Sequence, residues 1–168
     1  MLKLNILHLM VAAGALGAVI VLRREAAGRS LSFGRLFAAP LLAFAAAFLL
    51  LAMSEPQARQ PTLWVGGLAA GVAAGTARGI ILPLQVDRLW DRLRLPSGRD
   101  GLWAACLLGA VALAAFSIDL VPSNLPWSDM FEVAASTAAA GCAGFLAGRA
   151  CSLWLRAWNA PHSSLSRP

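Results

Sequence analysis

Asp87 and Asp91 stand four residues apart in the run QVDRLWDRLR, and paired carboxylates are the residue types that general acid/base chemistry uses. Arg78 and Arg149 are the cations nearest the interior of two glycine-rich apolar stretches, where a guanidinium could hold a phosphate or an anionic headgroup. His8 lies in the first apolar run, and Cys106, Cys142 and Cys151 lie in later ones. Each group also has a plainer role. Acid/base work by the two aspartates needs an apolar pocket around them, and their arginine-rich neighbours offer none. Arg78 and Arg149 can instead extend along their own stems to reach the headgroups. No second histidine falls in any span, so His8 reads as a packed or interfacial residue rather than a haem ligand. The cysteines have neither CxxC spacing nor a histidine cluster, and read as buried small apolar residues. No catalytic residue, metal site or cofactor is therefore expected.

The elements that carry these residues are long and apolar. Hydrophobic residues make up 59% of the chain and charged ones 13%, well above and below a soluble domain, and mean hydropathy is +0.69. Five stretches without acidic or basic charge approach the roughly 20 residues that an α-helix needs to cross hydrocarbon. The expected fold is an all-α membrane protein, one domain over residues 1–158, with five transmembrane helices at about 4–22, 36–54, 62–82, 102–121 and 130–155. A polar tail, 159–168, is expected to be flexible. All six tryptophans, at 64, 90, 103, 127, 154 and 158, fall at the ends of these spans or in the loops beside them, as an aromatic belt requires.

Charge sets the expected orientation. Of the 14 Lys and Arg residues, all but Lys3 and Arg59 lie in one alternate set of loops and ends. That bias places the N-terminus outside and the C-terminus inside a bacterial inner membrane. The net charge of +6 then needs no nucleic acid, because arginines at the inner rim suit anionic lipid headgroups as partners. The first span ends in Arg23-Arg24 and runs too long for a signal peptide, so it is expected to be retained.

Gly67, Gly71, Gly75 and Gly79 recur every four residues, which on a helix aligns them along one side. Such a track lets a second helix approach closely, and Gly144 and Gly148, with Ala140 before them, repeat the device on the fifth span. The expected contact lies within the chain. The alternative is docking of a second copy or another membrane protein.

Pro40 falls in the first turns of the second span, where proline is tolerated, Thr62 can cap the third, and Pro83 ends it. Asp129 and Glu132 have capping-box spacing at the start of the fifth. Between spans three and four, Leu82, Val86, Leu89, Trp90 and Leu93 fall on one side of a helix wheel and Asp87, Arg88, Asp91, Arg92 and Arg94 on the other. This pattern favours an amphipathic surface helix on the inner face. The alternation in LPLQV and LRL also fits a small hairpin with DRLWD as its loop, and that alternative stays open.

The residues GTARGIILPLQVD, followed by LRLPSGRDGLW and another span, resemble the CcdC-like family of small bacterial inner-membrane proteins. The likeness covers the second to fourth spans and implies a glycine-rich helix ending in Arg-Gly, then a short basic or hairpin-like inner segment containing Val-Asp, and another helix. That family's name reflects a proposed link to cytochrome c maturation, but this chain has no CxxC, so no redox chemistry is carried over. The function expected is non-enzymatic: a structural, assembly or accessory membrane component. A small transporter or channel subunit is the runner-up and would need a polar path through Thr76, Ser117, Ser136 and Thr137. A third class, an enzyme acting on a lipid phosphate, would need Arg78, Arg149, Asp87 and Asp91 to converge.

Overall fold

A computed structural model describes residues 6–28, 30–54, 56, 59–87, 92–95, 98–119 and 128–160. The chain forms α1 (Ile6–Ala26), α2 (Ala38–Met53), α3 (Pro61–Ile81), α4 (Asp100–Asp119) and α5 (Ser128–Asn159). All five are long and apolar enough to cross a membrane, α2 together with the 3-10 turn Phe33–Phe37 that leads into it. Their outward faces are themselves apolar, with Leu16, Ile20, Leu41, Phe48, Ile81 and Leu113 exposed. A helix bundle in water would bury such side chains. A bundle whose solvent is hydrocarbon has no reason to.

Local chemistry sets several boundaries. Pro40 sits in the first turn of α2, where its missing N–H removes no helical hydrogen bond. Pro61 opens α3 at its first position with Gln60 before it, so Thr62 lies inside the helix and does not cap it. Leu82 at the other end is extended, the conformation that a following proline imposes. Asp129 lies within the first turn of α5, where an acid still favours the helix's positive end.

The core is built on α5. It packs against α2, α3 and α4, while α1 closes the bundle against α2 and α4. Val11, Ala15, Ala18 and Leu22 line the inner face of α1 at spacings of three and four, and meet Ala39, Ala43, Ala46 and Leu50 of α2. So many alanines bring axes close: a Cβ on Gly14 would already lie 3.1 Å from the Leu42 carbonyl oxygen.

The segment between α3 and α4 is not helical where it is described, which favours the hairpin over the amphipathic helix and adds a small sheet to a mostly helical chain. Strands β2 (Gln85–Asp87) and β3 (Arg92–Arg94) pair antiparallel, and β3 also pairs with β1 (Leu31–Ser32), giving the order β1-β3-β2. Val86 sits opposite Leu93, and Leu93 opposite Leu31. Val86 and Leu93 are buried in one cluster with Leu36, Leu153 and Ala157, and Leu31 is buried too, while Gln85, Arg92 and Arg94 point outward; Asp87, beside Val86, is also buried. The period is two along β3, whereas β2 buries Val86 and Asp87 together. The tie between helix and hairpin is broken by β1, which supplies a third strand from a distant loop and a second flank to bury β3. Arg88, Leu89, Trp90 and Asp91 lie outside the described residues.

Candidate functional site

The arginine-rich end of the bundle, where α1, α3 and α5 finish and α4 begins, gathers the groups singled out from sequence. The Arg78 Nε donates to Asp100 Oδ2 at 2.7 Å, an ion pair on the outside of the bundle. Arg149 extends from α5 to α1 and donates through Nη2 to Glu25 Oε1; both side chains are more than nine-tenths buried. The first turn of α4 lies over this pair: a Cβ on Gly101 would stand 3.0 Å from Arg149 Nη1 and 3.2 Å from Leu22 Cδ2. The two arginines thus meet consecutive residues of α4, each with its own carboxylate. Asp87 faces Arg92 across the hairpin, a cross-strand pair of opposite charge. Asp91 lies outside the described residues.

A third arginine was not anticipated. Arg156 Nη1 donates to the carbonyls of Gly79 and Leu82, both at 2.6 Å, and so supplies from α5 the donors that the carbonyls at the end of α3 lack. Arg59 does the same for α2, donating to Ala52 O at 2.6 Å and Ser54 O at 2.9 Å.

The glycine track of α3 faces α5 of the same chain. Contacts advance together along both helices, from Gly67 at Thr137 through Gly71 at Gly141 and Gly75 at Phe145 to Gly79 at Arg149 and Ser152, so the two helices run parallel. Gly144 and Gly148 return the contact onto Leu68 and Val72. A Cβ at Gly75 would fall on the Phe145 carbonyl and 2.9 Å from its Cα, and one at Gly71 would lie 2.9 Å from the Phe145 nitrogen. These neighbours are backbone, and no rotamer change removes them.

At the opposite end, α1, α2, α4 and α5 line a partly open cavity of about 50 Å³. His8, Ser54, Phe116, Phe131, Glu132 and Ser136 are among its walls, and the His8 and Phe116 ring centroids are 4.5 Å apart. Of the four hydroxyl residues proposed for a polar path, only Ser136 reaches this cavity. Thr76 and Thr137 lie in the α3–α5 contact, and Ser117 is exposed with its hydroxyl on Leu113 O. Cys142 is buried as expected. Cys106 and Cys151 are exposed on the outer surface, which corrects their reading as buried residues. Among the described residues no three of His, Cys, Asp and Glu gather as a metal site would require.

Glu25 and Asp100 are the ion-pair partners of Arg149 and Arg78 that the sequence reading missed. Glu25 is the lone acid in RREAAGR, and Asp100 stands at the start of a helix, but neither signal names a partner. Comparison with models of protein families, with curated proteins and with solved structures finds no match.

Proposed function

We propose that the chain is a non-enzymatic accessory or assembly component of a bacterial inner membrane, with its N-terminus outside and its C-terminus inside. The observation that carries this reading is how the arginines nearest the bundle are engaged. Arg78 and Arg149 are held by Asp100 and Glu25, and Arg156 by two backbone carbonyls. A lipid-phosphate enzyme would need those cations turned toward a shared substrate, with carboxylates left over as acid and base. Here they bind helices to one another. The α3–α5 contact supports the same reading, since close helix packing gives a stable support rather than a moving part.

The outward arginines of the sheet, Arg92 and Arg94, would then face anionic headgroups at the inner surface. Each basic group near such a surface contributes about 1 kcal/mol, so the two together give roughly thirtyfold in lipid affinity. Native mass spectrometry of the chain in mild detergent, spiked with anionic and zwitterionic lipids, tests this. Anionic adducts are expected on the wild type and should fall by about that factor in the Arg92→Ala, Arg94→Ala double variant. A bare monomer that keeps neither lipid nor protein partner would remove the proposal.

A further inference from the structure

Arg156 differs from Arg78 and Arg149 in having no acid beside it. Those two pair with Asp100 and Glu25, whereas the Arg156 guanidinium meets only the neutral carbonyls of Gly79 and Leu82. Both of these bonds leave from Nη1 and use its two hydrogens, so the three N–H groups on Nε and Nη2 remain for another acceptor. Among the described residues no carboxylate pairs with them. A half-buried cation met by dipoles alone favours an anion at its open side.

Arg156 lines an open groove of about 440 Å³ between the end of α3 and the last turns of α5, together with Leu84, Leu155, Asn159 and Ala160. Asn159 Nδ2 donates one hydrogen to Leu155 O at 3.3 Å, and its second hydrogen and amide oxygen are left as polar groups of the same wall. The depth of the groove follows from α3, whose 21 residues reach about 30 Å, the thickness of a hydrocarbon core. Arg156, held at the end of that helix, therefore lies at headgroup level. Trp154 and Trp158 flank it on α5 with ring centroids 5.7 Å apart, and tryptophan is the residue type that settles at this level. Leu155, Ile80 and Ile81 are exposed there as well, so an alkyl surface borders the cation.

A free phosphate would meet one guanidinium in an open groove and leave that alkyl surface unused. An acidic peptide would lay polar backbone against it at membrane depth. An anionic phospholipid brings both a phosphodiester for the guanidinium and acyl chains for the alkyl side.

We propose that the groove between α3 and α5 holds one anionic phospholipid, with its phosphodiester on Arg156, its headgroup beside Asn159 and its acyl chains over Leu155. The lipid is the counter-ion that Arg78 and Arg149 obtain from Asp100 and Glu25. The site rests on the reading that the bundle lies in a membrane, but neither on the accessory role nor on Arg92 and Arg94.

The test uses the full chain in mild detergent with phosphatidylglycerol or phosphatidylcholine added, followed by native mass spectrometry at rising collision energy and by thermal midpoints from tryptophan fluorescence. One phosphatidylglycerol per chain should survive energies that strip further adducts, and it should raise the midpoint; phosphatidylcholine should do neither. Arg156→Gln should lose the retained lipid, but it also uncaps α3, so Asn159→Glu is the sharper variant. It places a carboxylate three residues from Arg156 on the same helix and supplies the counter-charge from within the chain. Its midpoint without lipid should match that of the wild type, while phosphatidylglycerol affinity falls at least tenfold. The Arg92→Ala, Arg94→Ala double variant should keep the retained lipid. Loss of that lipid there, with survival in Asn159→Glu, would place it on the sheet, overturning this site and leaving the proposed function standing. Equal retention of phosphatidylcholine would overturn the proposal, because charge would then play no part. Displacement of the lipid by excess inorganic phosphate would assign the groove to a free anion and overturn it too.

Discussion

Gly75→Ala is expected to destabilise the bundle far more than a single methyl group normally does, and Gly66→Ala is expected to do no harm. Both residues lie on α3, and the two substitutions are identical in chemistry. They differ in what the new carbon meets. At Gly75 it falls on the backbone of Phe145, whereas at Gly66 nothing lies within 4 Å. An overpacked core usually yields by turning a side chain, at a cost of about 1–3 kcal/mol. Here the obstacle is the main chain of α5, so α3 must move outward as a unit and lose contact along its length. The cost should therefore exceed that range, and Gly75→Leu should leave no folded monomer. Gly66→Ala should gain up to about 1 kcal/mol, since alanine favours a helix over glycine. Unfolding in detergent followed by tryptophan fluorescence separates the two. Equal midpoints for Gly75→Ala and Gly66→Ala would show that α3 does not rest on α5.

Glu25→Ala is the second substitution with a large expected effect. The Glu25 and Arg149 side chains are 8% and 5% exposed, so removing the carboxylate strands a guanidinium where water cannot reach it. Breaking a buried ion pair from one side costs about 3–5 kcal/mol, most of it the uncompensated charge. The same reasoning predicts recovery in the double variant Glu25→Leu, Arg149→Leu, because an apolar pair of similar volume is often as stable as the ion pair it replaces. Arg78→Ala gives the contrast. Its pair with Asp100 is 43% and 32% exposed, and exposed pairs contribute about 0–1 kcal/mol. A Glu25→Ala chain that melts with the Arg78→Ala chain would sink this account of the arginine-rich end.

The five helices were legible because a span's length and hydropathy are local properties. Expected and observed bounds differ by a few residues, and the largest extension is in α5, whose 32 residues reach about 48 Å. That length exceeds a hydrocarbon core of roughly 30 Å, and its last turns carry Leu153 and Ala157 under the sheet. The sheet itself was half legible. Alternation in 84–95 was visible, but β1 is two residues long and carries no pattern that composition could reveal. The glycine track announced a close contact, and the register with α5 became visible only in three dimensions. Arg149 stood out for the same local reason as the helices. Its partner did not, because ion pairing between residues 124 positions apart leaves no trace in either neighbourhood. The cavity lined by His8, Ser54, Glu132 and Ser136 needs four helices to exist, and no single stretch of chain implies it.

The separation between Glu25 and Arg149 also has a consequence in time. Chains grow at roughly 5–20 residues per second, so about 6–25 seconds pass between synthesis of the carboxylate and of the arginine 124 positions later that will cover it. For that interval α1 carries an acid with no permanent partner beside Arg23 and Arg24, and the glycine face of α3 waits for a helix not yet made. Helix α5 is the last to arrive, and it brings the contact surface for α3, the counter-ion for α1 and the Arg156 cap for α3's last carbonyls together. The contacts that complete the bundle thus come with its final helix, and a chain truncated before α5 would leave the α3 glycine face and Glu25 without the partners described above.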